Sequence, residues 1–183
     1  MEGLFFILIA GALFSHAWYL LGLYNDGRTM GIVMVALGAG ALIALTFPPM
    51  LLGSAGSAAA MVAQITVMKS VIIMWAIYAA VVAAQGLWDF DDRALGFLGI
   101  PLAAVSILAL GYFATQMPDH YDWTVWLSLT LGAALLAFVA ALLFFYLAVP
   151  FRVLKSFTAW SMLVLSVIMT GIGMAILATG ITI

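Results

Sequence analysis

Long apolar runs separated by short polar stretches organise this 183-residue chain. The runs cover approximately 4–24, 30–47, 66–85, 95–116, 123–147 and 158–183. A helix rising about 1.5 Å per residue needs about 20 apolar residues to cross about 30 Å of hydrocarbon, so each run is long enough, or nearly so, to span a membrane. The pattern predicts an all-α integral membrane protein, one domain over 1–183 with six transmembrane helices. The intervening stretches read NDGR at 25–28, PPMLLGSAGSAAA at 48–60, WDFDDR at 88–93, PDHYD at 118–122 and VPFRVLK at 149–155, each with the Pro, Gly, Asn or Asp that marks turns. The second is apolar as well as Gly/Ser/Pro-rich, and a short re-entrant segment is an alternative to a simple loop there.

Aromatic residues gather at the run ends, among them Tyr24, Trp88, Tyr112, Tyr121, Trp123, Tyr146 and Trp160, as interfacial belts do. Small residues four apart (Gly11 and Ser15, Gly40 and Ala44, Gly171 and Ala175) predict close helix approaches. Composition agrees with the pattern: 68% of residues are hydrophobic and 7% charged, with a mean hydropathy of +1.30. No cysteine is present, which excludes disulfides, iron–sulfur clusters and thiol catalysis, and a net charge of -2 with scattered basic residues gives no sign of a nucleic-acid partner. Met1 is followed by the acidic Glu2 rather than a basic stretch, so the first run is expected to be a retained span rather than a signal peptide.

Basic residues set the expected orientation. Arg28, Arg93, Arg152 and Lys155 fall in the first, third and fifth loops, while Lys69 alone lies on the other side, expected within a turn or so of the third helix start where it can snorkel. The positive-inside rule then puts the odd loops in the cytoplasm and both termini outside. The arginines at 28, 93 and 152 recur at intervals of 65 and 59 residues, which suggests three consecutive two-helix hairpins.

Candidate chemistry is sparse. All seven Asp and Glu residues are expected in loops or at the N-terminus, so the buried carboxylates of an ion-coupled pump are missing. VMKS at 67–70 lacks the glycines of a phosphate-cradling loop. His120 with Asp119 and Asp122, and DFDDR at 89–93, read as solvated turns rather than metal sites. No acid/base pair shares one depth, so no enzyme activity and no cofactor or metal is expected. Uncharged polar residues remain at membrane depth: Ser15, His16, Ser106, Ser128, Thr130, Ser166 and Thr170. Serine and threonine can bond their own helix carbonyls, but an imidazole facing lipid would cost several kcal/mol. His16 must therefore face the bundle interior, either in a helix-to-helix hydrogen bond or bordering a wet passage.

IAGALFSHAWYLLGLYNDGRTMGIVMVALGAG at 9–40, AIYAAVVAAQGLWDFDDRALGFLGI at 76–100 and KSFTAWSMLVLSVIMTGIGMAIL at 155–177 resemble the corresponding parts of the amide and urea channel family (AmiS/UreI). The resemblance extends over most of the chain and rests on hydrophobic pattern, loop placement and short pieces such as DDRALGF and FTAW. It implies six spans as three hairpins around a pore, a homohexameric ring with one pore per protomer, and a multi-pass protein of the bacterial inner membrane in contact with its lipids. It implies a pore wall near His16, where relatives carry a polar residue, often Asn. The chain departs from the pattern where urea-conducting relatives have narrowing tryptophans and a glutamate, since Leu131, Leu135 and Leu165 stand there, and Trp126 lies nearer the outer end. The second loop also lacks the histidines of acid-gated relatives. The expected pore lining is then Ser15, His16, Trp126, Ser128, Thr130, Leu131, Leu135, Leu165 and Ser166. The expected function is passive conduction of a small neutral solute, an amide or urea. The alternative is a non-transporting subunit of a larger membrane complex.

Overall fold

The computed structural model describes residues 1–23, 26–47, 58–88, 90, 92–116, 123–148 and 154–181. Six helices account for nearly all of them: α1 (Glu2–Leu20), α2 (Gly27–Ala44), α3 (Ala58–Trp88), α4 (Asp92–Gln116), α5 (Trp123–Leu143) and α6 (Leu154–Ile181), with a π-helical turn, Phe144–Ala148, closing α5. All six are long and apolar enough to cross a membrane. The protein is a six-helix, multi-pass membrane protein, and no strand occurs among the described residues.

Local chemistry explains where the observed ends differ from the apolar runs. α1 stops at Leu20 because Gly22 adopts φ +71, a left-handed conformation that carries no Cβ penalty in glycine. The Gly22 N–H then reaches the Tyr19 carbonyl at 2.9 Å and the Leu23 N–H reaches Trp18 at 3.3 Å, satisfying carbonyls that the helix end would orphan. α2 starts at Gly27 because the Asp26 carboxylate accepts the Thr29 N–H at 2.5 Å, an N-cap. The largest difference is α3, which begins at Ala58 within the stretch read as a loop. Its Ala58–Ala60 run is the best of helix formers, and the helix extends 31 residues. Lys69 is therefore not near a helix start but 11 residues, about 16 Å, inside one. The earlier part of that stretch, with its re-entrant alternative, and His120 with its neighbouring aspartates lie outside the described residues.

The helices close a ring in chain order, α1 to α6 and back to α1. α1, α3 and α5 form an inner layer, with 56%, 44% and 50% of their spanning windows buried, against 33%, 28% and 33% for α2, α4 and α6. Glycines set the tightest seams. A Cβ on Gly3 would stand 2.8 Å from the Gly173 oxygen (α1 on α6), one on Gly31 2.9 Å from the Ala83 oxygen (α2 on α3), and one on Gly99 2.7 Å from the Ala140 oxygen (α4 on α5). The predicted hairpins paired the helices differently, joining α1 with α2, α3 with α4 and α5 with α6. Each inner helix instead packs closest on the outer helix that precedes it, with α6 serving α1. The small-residue pairs read from sequence are not these seams either. Gly171 faces open space, while Gly11 and Gly40 touch only the side chains of Leu37 and Leu8.

Met1 and the end of α6 lie at one end of the bundle, called the terminal end. The other end carries Arg28, Arg93 and Lys155 and is called the basic end below. Glu2, expected outside at the terminus, is buried in the first turn of α1, its carboxylate 3.4 Å from the terminal ammonium.

Candidate functional site

α1 buries one face through Phe6, Ile9, Leu13, His16 and Leu20, and α3 buries Met68, Ile72, Trp75, Tyr78 and Val82. Both series follow the three-to-four-residue repeat of a helix face. Where the two faces meet, the His16 Nδ1 and the Tyr78 hydroxyl share a hydrogen bond of 2.6 Å. The tautomer decides direction: the phenol donates to an Nε2–H imidazole and accepts from an Nδ1–H one. Trp75, three residues before Tyr78, meets that ring edge-on at 5.2 Å and donates its indole N–H to the Ser106 hydroxyl of α4 at 3.1 Å. The result is an uncharged polar chain, His16, Tyr78, Trp75 and Ser106, running across three helices. All four are sealed, with 1%, 0%, 0% and 0% of their surfaces exposed.

Toward the basic end the chain approaches water. Tyr19, one turn past His16, and Gln85, two turns past Tyr78, line a polar cavity of about 520 Å³ together with Asp26, Gly27 and Arg28. Asp26 and Arg28 are exposed, so this cavity is a vestibule. Hydrogen bonds from Thr29 hold the Asp26 carboxyl below the usual carboxylate range. Toward the termini the interior is filled by Phe5, Phe6, Leu13, Leu129 and Leu136. The Phe6 ring occupies the space a Cβ on Gly132 would need, 2.5 Å away. Two hydroxyls have no hydrogen-bond partner among the described residues: Thr130 on α5 and Thr158 on α6, the latter fully buried.

The nine expected pore-lining positions do not share one passage. His16 is closed off by Tyr78. Ser15 and Ser166 line a different feature, a groove of about 370 Å³ on the outside of α1, α2 and α6, and both bond their own helix, to Gly11 at 2.9 Å and Leu163 at 2.6 Å. Trp126 donates to the Phe113 carbonyl at 3.0 Å and so ties α5 to α4 near the terminal end. Ser128 is buried and Thr130, Leu135 and Leu165 are half-buried, whereas Leu131 is 41% exposed on the outer surface and cannot narrow an interior path. Sequence reasoning missed Trp75 and Tyr78, the partners that make His16 intelligible. Their signal was present: two aromatic residues with polar tips in the middle of a span rather than at its ends.

Comparison with protein-family models, with curated proteins and with solved structures gives no match.

Proposed function

We propose that this chain is a passive conduit for a small neutral solute, a short-chain amide or urea, in a closed conformation. The observation that carries the reading is the uncharged polar chain from Ser106 to His16, which leads from mid-span toward a polar vestibule. An amide loses about 4–8 kcal/mol on entering hydrocarbon without hydrogen-bond partners. Neutral donors and acceptors reduce that barrier while offering no fixed charge to trap an ion. The spare hydroxyls of Thr130 and Thr158 are groups that a passing solute would satisfy. Conduction requires the His16–Tyr78 pair and the Phe6 ring to part, since both close the interior. The AmiS/UreI resemblance supports the solute class and a ring of six protomers. The distribution of basic residues supports termini on the outside of a bacterial plasma membrane.

A second reading is favoured by the seal itself: a non-transporting subunit whose polar chain serves only to hold helices together. Liposomes carrying the pure protein, followed by light scattering during acetamide and urea entry, separate the two. Entry faster than into protein-free vesicles is expected. Rates equal to protein-free vesicles for wild type and Tyr78→Phe alike would leave the subunit reading. Particle images showing a homohexamer would agree with the conduit, and obligatory foreign subunits would not.

A further inference from the structure

Lys69 is exposed in the middle of α3 and makes no hydrogen bond or ion pair to another described residue. Its depth follows from the Trp75–Ser106 bond, which fixes α3 against α4. Lys69 lies six residues before Trp75, about 9 Å, and the end of α4 at Gln116 lies ten residues after Ser106, about 15 Å. The ammonium therefore stems from about 6 Å below the terminal end of α4, at the level of Tyr112 and within one headgroup layer of that surface. Side chains lean toward the N-terminus of their own helix, which for α3 is the same surface.

Beside it a groove of about 240 Å³ runs between α3 and α4, lined by Thr66, Val67, Ser70, Val105, Leu108 and Ala109. Thr66 donates its hydroxyl to Val62 at 2.7 Å and Ser70 to Thr66 at 2.9 Å, so each oxygen is left only to accept. Deeper in the membrane the surface is wholly apolar, with Leu108 73% exposed and Ile73 and Ile77 beside it. Thr66 lies about one turn nearer the terminal surface than Lys69 and Ser70 one residue deeper, so two acceptors flank the cation and the hydrocarbon surface follows below.

We infer that this groove holds one anionic glycerophospholipid of the phosphatidylglycerol type. Its phosphodiester pairs with the Lys69 ammonium, its headgroup hydroxyls donate to Thr66 and Ser70, and one acyl chain lies along Val67, Val105 and Leu108. A zwitterionic headgroup fits worse, because its own ammonium would meet Lys69. The site stands apart from the polar chain of the interior, so it holds whether or not the bundle conducts.

The test uses the full chain in nanodiscs of phosphatidylcholine and phosphatidylglycerol at three to one, released into mild detergent and weighed by native mass spectrometry. Wild type and Lys69→Arg are expected to retain one phosphatidylglycerol per protomer. Lys69→Gln should lower that occupancy by at least about fivefold, the equivalent of about 1 kcal/mol for one charge near a lipid surface. Ser70→Phe, which fills the groove and leaves the lysine in place, should lower it too. Retention by Lys69→Gln equal to wild type, or equal retention of phosphatidylcholine and phosphatidylglycerol by wild type, would overturn the assignment.

Discussion

Removing the Tyr78 hydroxyl is the sharpest perturbation the interior offers. Tyr78→Phe keeps the ring that packs on Trp75 and deletes only the group bonded to His16 at 2.6 Å. Hydrogen bonds between helices in a membrane are worth about 0.6 kcal/mol on average and about 1.7 at most, because an opened state finds other partners. If opening breaks this bond, the closed state loses that amount relative to the open one. The open fraction, while small, then rises by a factor of about 3 at the lower figure and about 18 at the upper. Acetamide entry into proteoliposomes, read by stopped-flow light scattering, should speed up by a factor in that range, with sucrose still excluded. A His16→Leu, Tyr78→Phe double variant should be less destabilised than the two single changes summed, since no polar atom is left stranded. A Tyr78→Phe protein with lowered thermal stability and unchanged entry rate would refute the gate and leave the bond a helix-to-helix fastener.

Three further outcomes follow from packing and capping. Gly86→Ala would drive its Cβ into the Gly27 backbone oxygen, which cannot rotate away, and should lower thermal stability by the equivalent of about 3 kcal/mol or more; Gly111→Ala, with nothing nearby, should be neutral or stabilising by up to about 1. Thr158→Val replaces a buried, unpartnered hydroxyl by a methyl and should raise the melting temperature by the equivalent of about 1–3 kcal/mol, whereas a fall would mean the hydroxyl has a partner in the membrane. Because the folded-state Asp26 carboxyl titrates below its unfolded value, its cap is present above the ordinary carboxylate range and lost as pH falls through the depressed value. Asp26→Ala should therefore lower the melting temperature at pH 7, with the difference from wild type closing in strong acid, and Asp26→Asn should retain most of the cap at both.

The six spans were legible because hydrocarbon imposes a length on any helix that crosses it, and short polar stretches interrupt the chain between them. Their faces were not. Lipid and core are both apolar, so the two sides of such a helix have nearly the same composition and the sequence does not say which is inside. Leu131 shows the consequence: placed on a pore wall by position, it points outward. Helix ends failed where a single residue decides, at Gly22, or where small residues suit a helix as well as a loop, at Ala58–Ala60. His16 stood out because an imidazole among apolar residues demands a partner. That the partner is Tyr78, 62 residues on, follows from no spacing rule and needed the fold.

The glycine seams and the polar chain divide the bundle in complementary ways. Close backbone approach at Gly3–Gly173, Gly31–Ala83 and Gly99–Ala140 joins α1 to α6, α2 to α3 and α4 to α5, giving three stiff pairs that small displacements would not separate. Three interior contacts each bridge two of these pairs. His16–Tyr78 ties the α1/α6 pair to the α2/α3 pair, Trp75–Ser106 ties α2/α3 to α4/α5, and Phe6 on Gly132 ties α4/α5 to α1/α6. A conformational change that leaves the seams intact must therefore act on these three bridges. Two of them are single hydrogen bonds between neutral groups, worth about 1 kcal/mol each, and the third is a ring against a glycine. Movement of the pairs relative to one another must therefore part the two hydrogen bonds that carry the interior polar groups, together with the ring on Gly132 and the side-chain packing between neighbouring pairs.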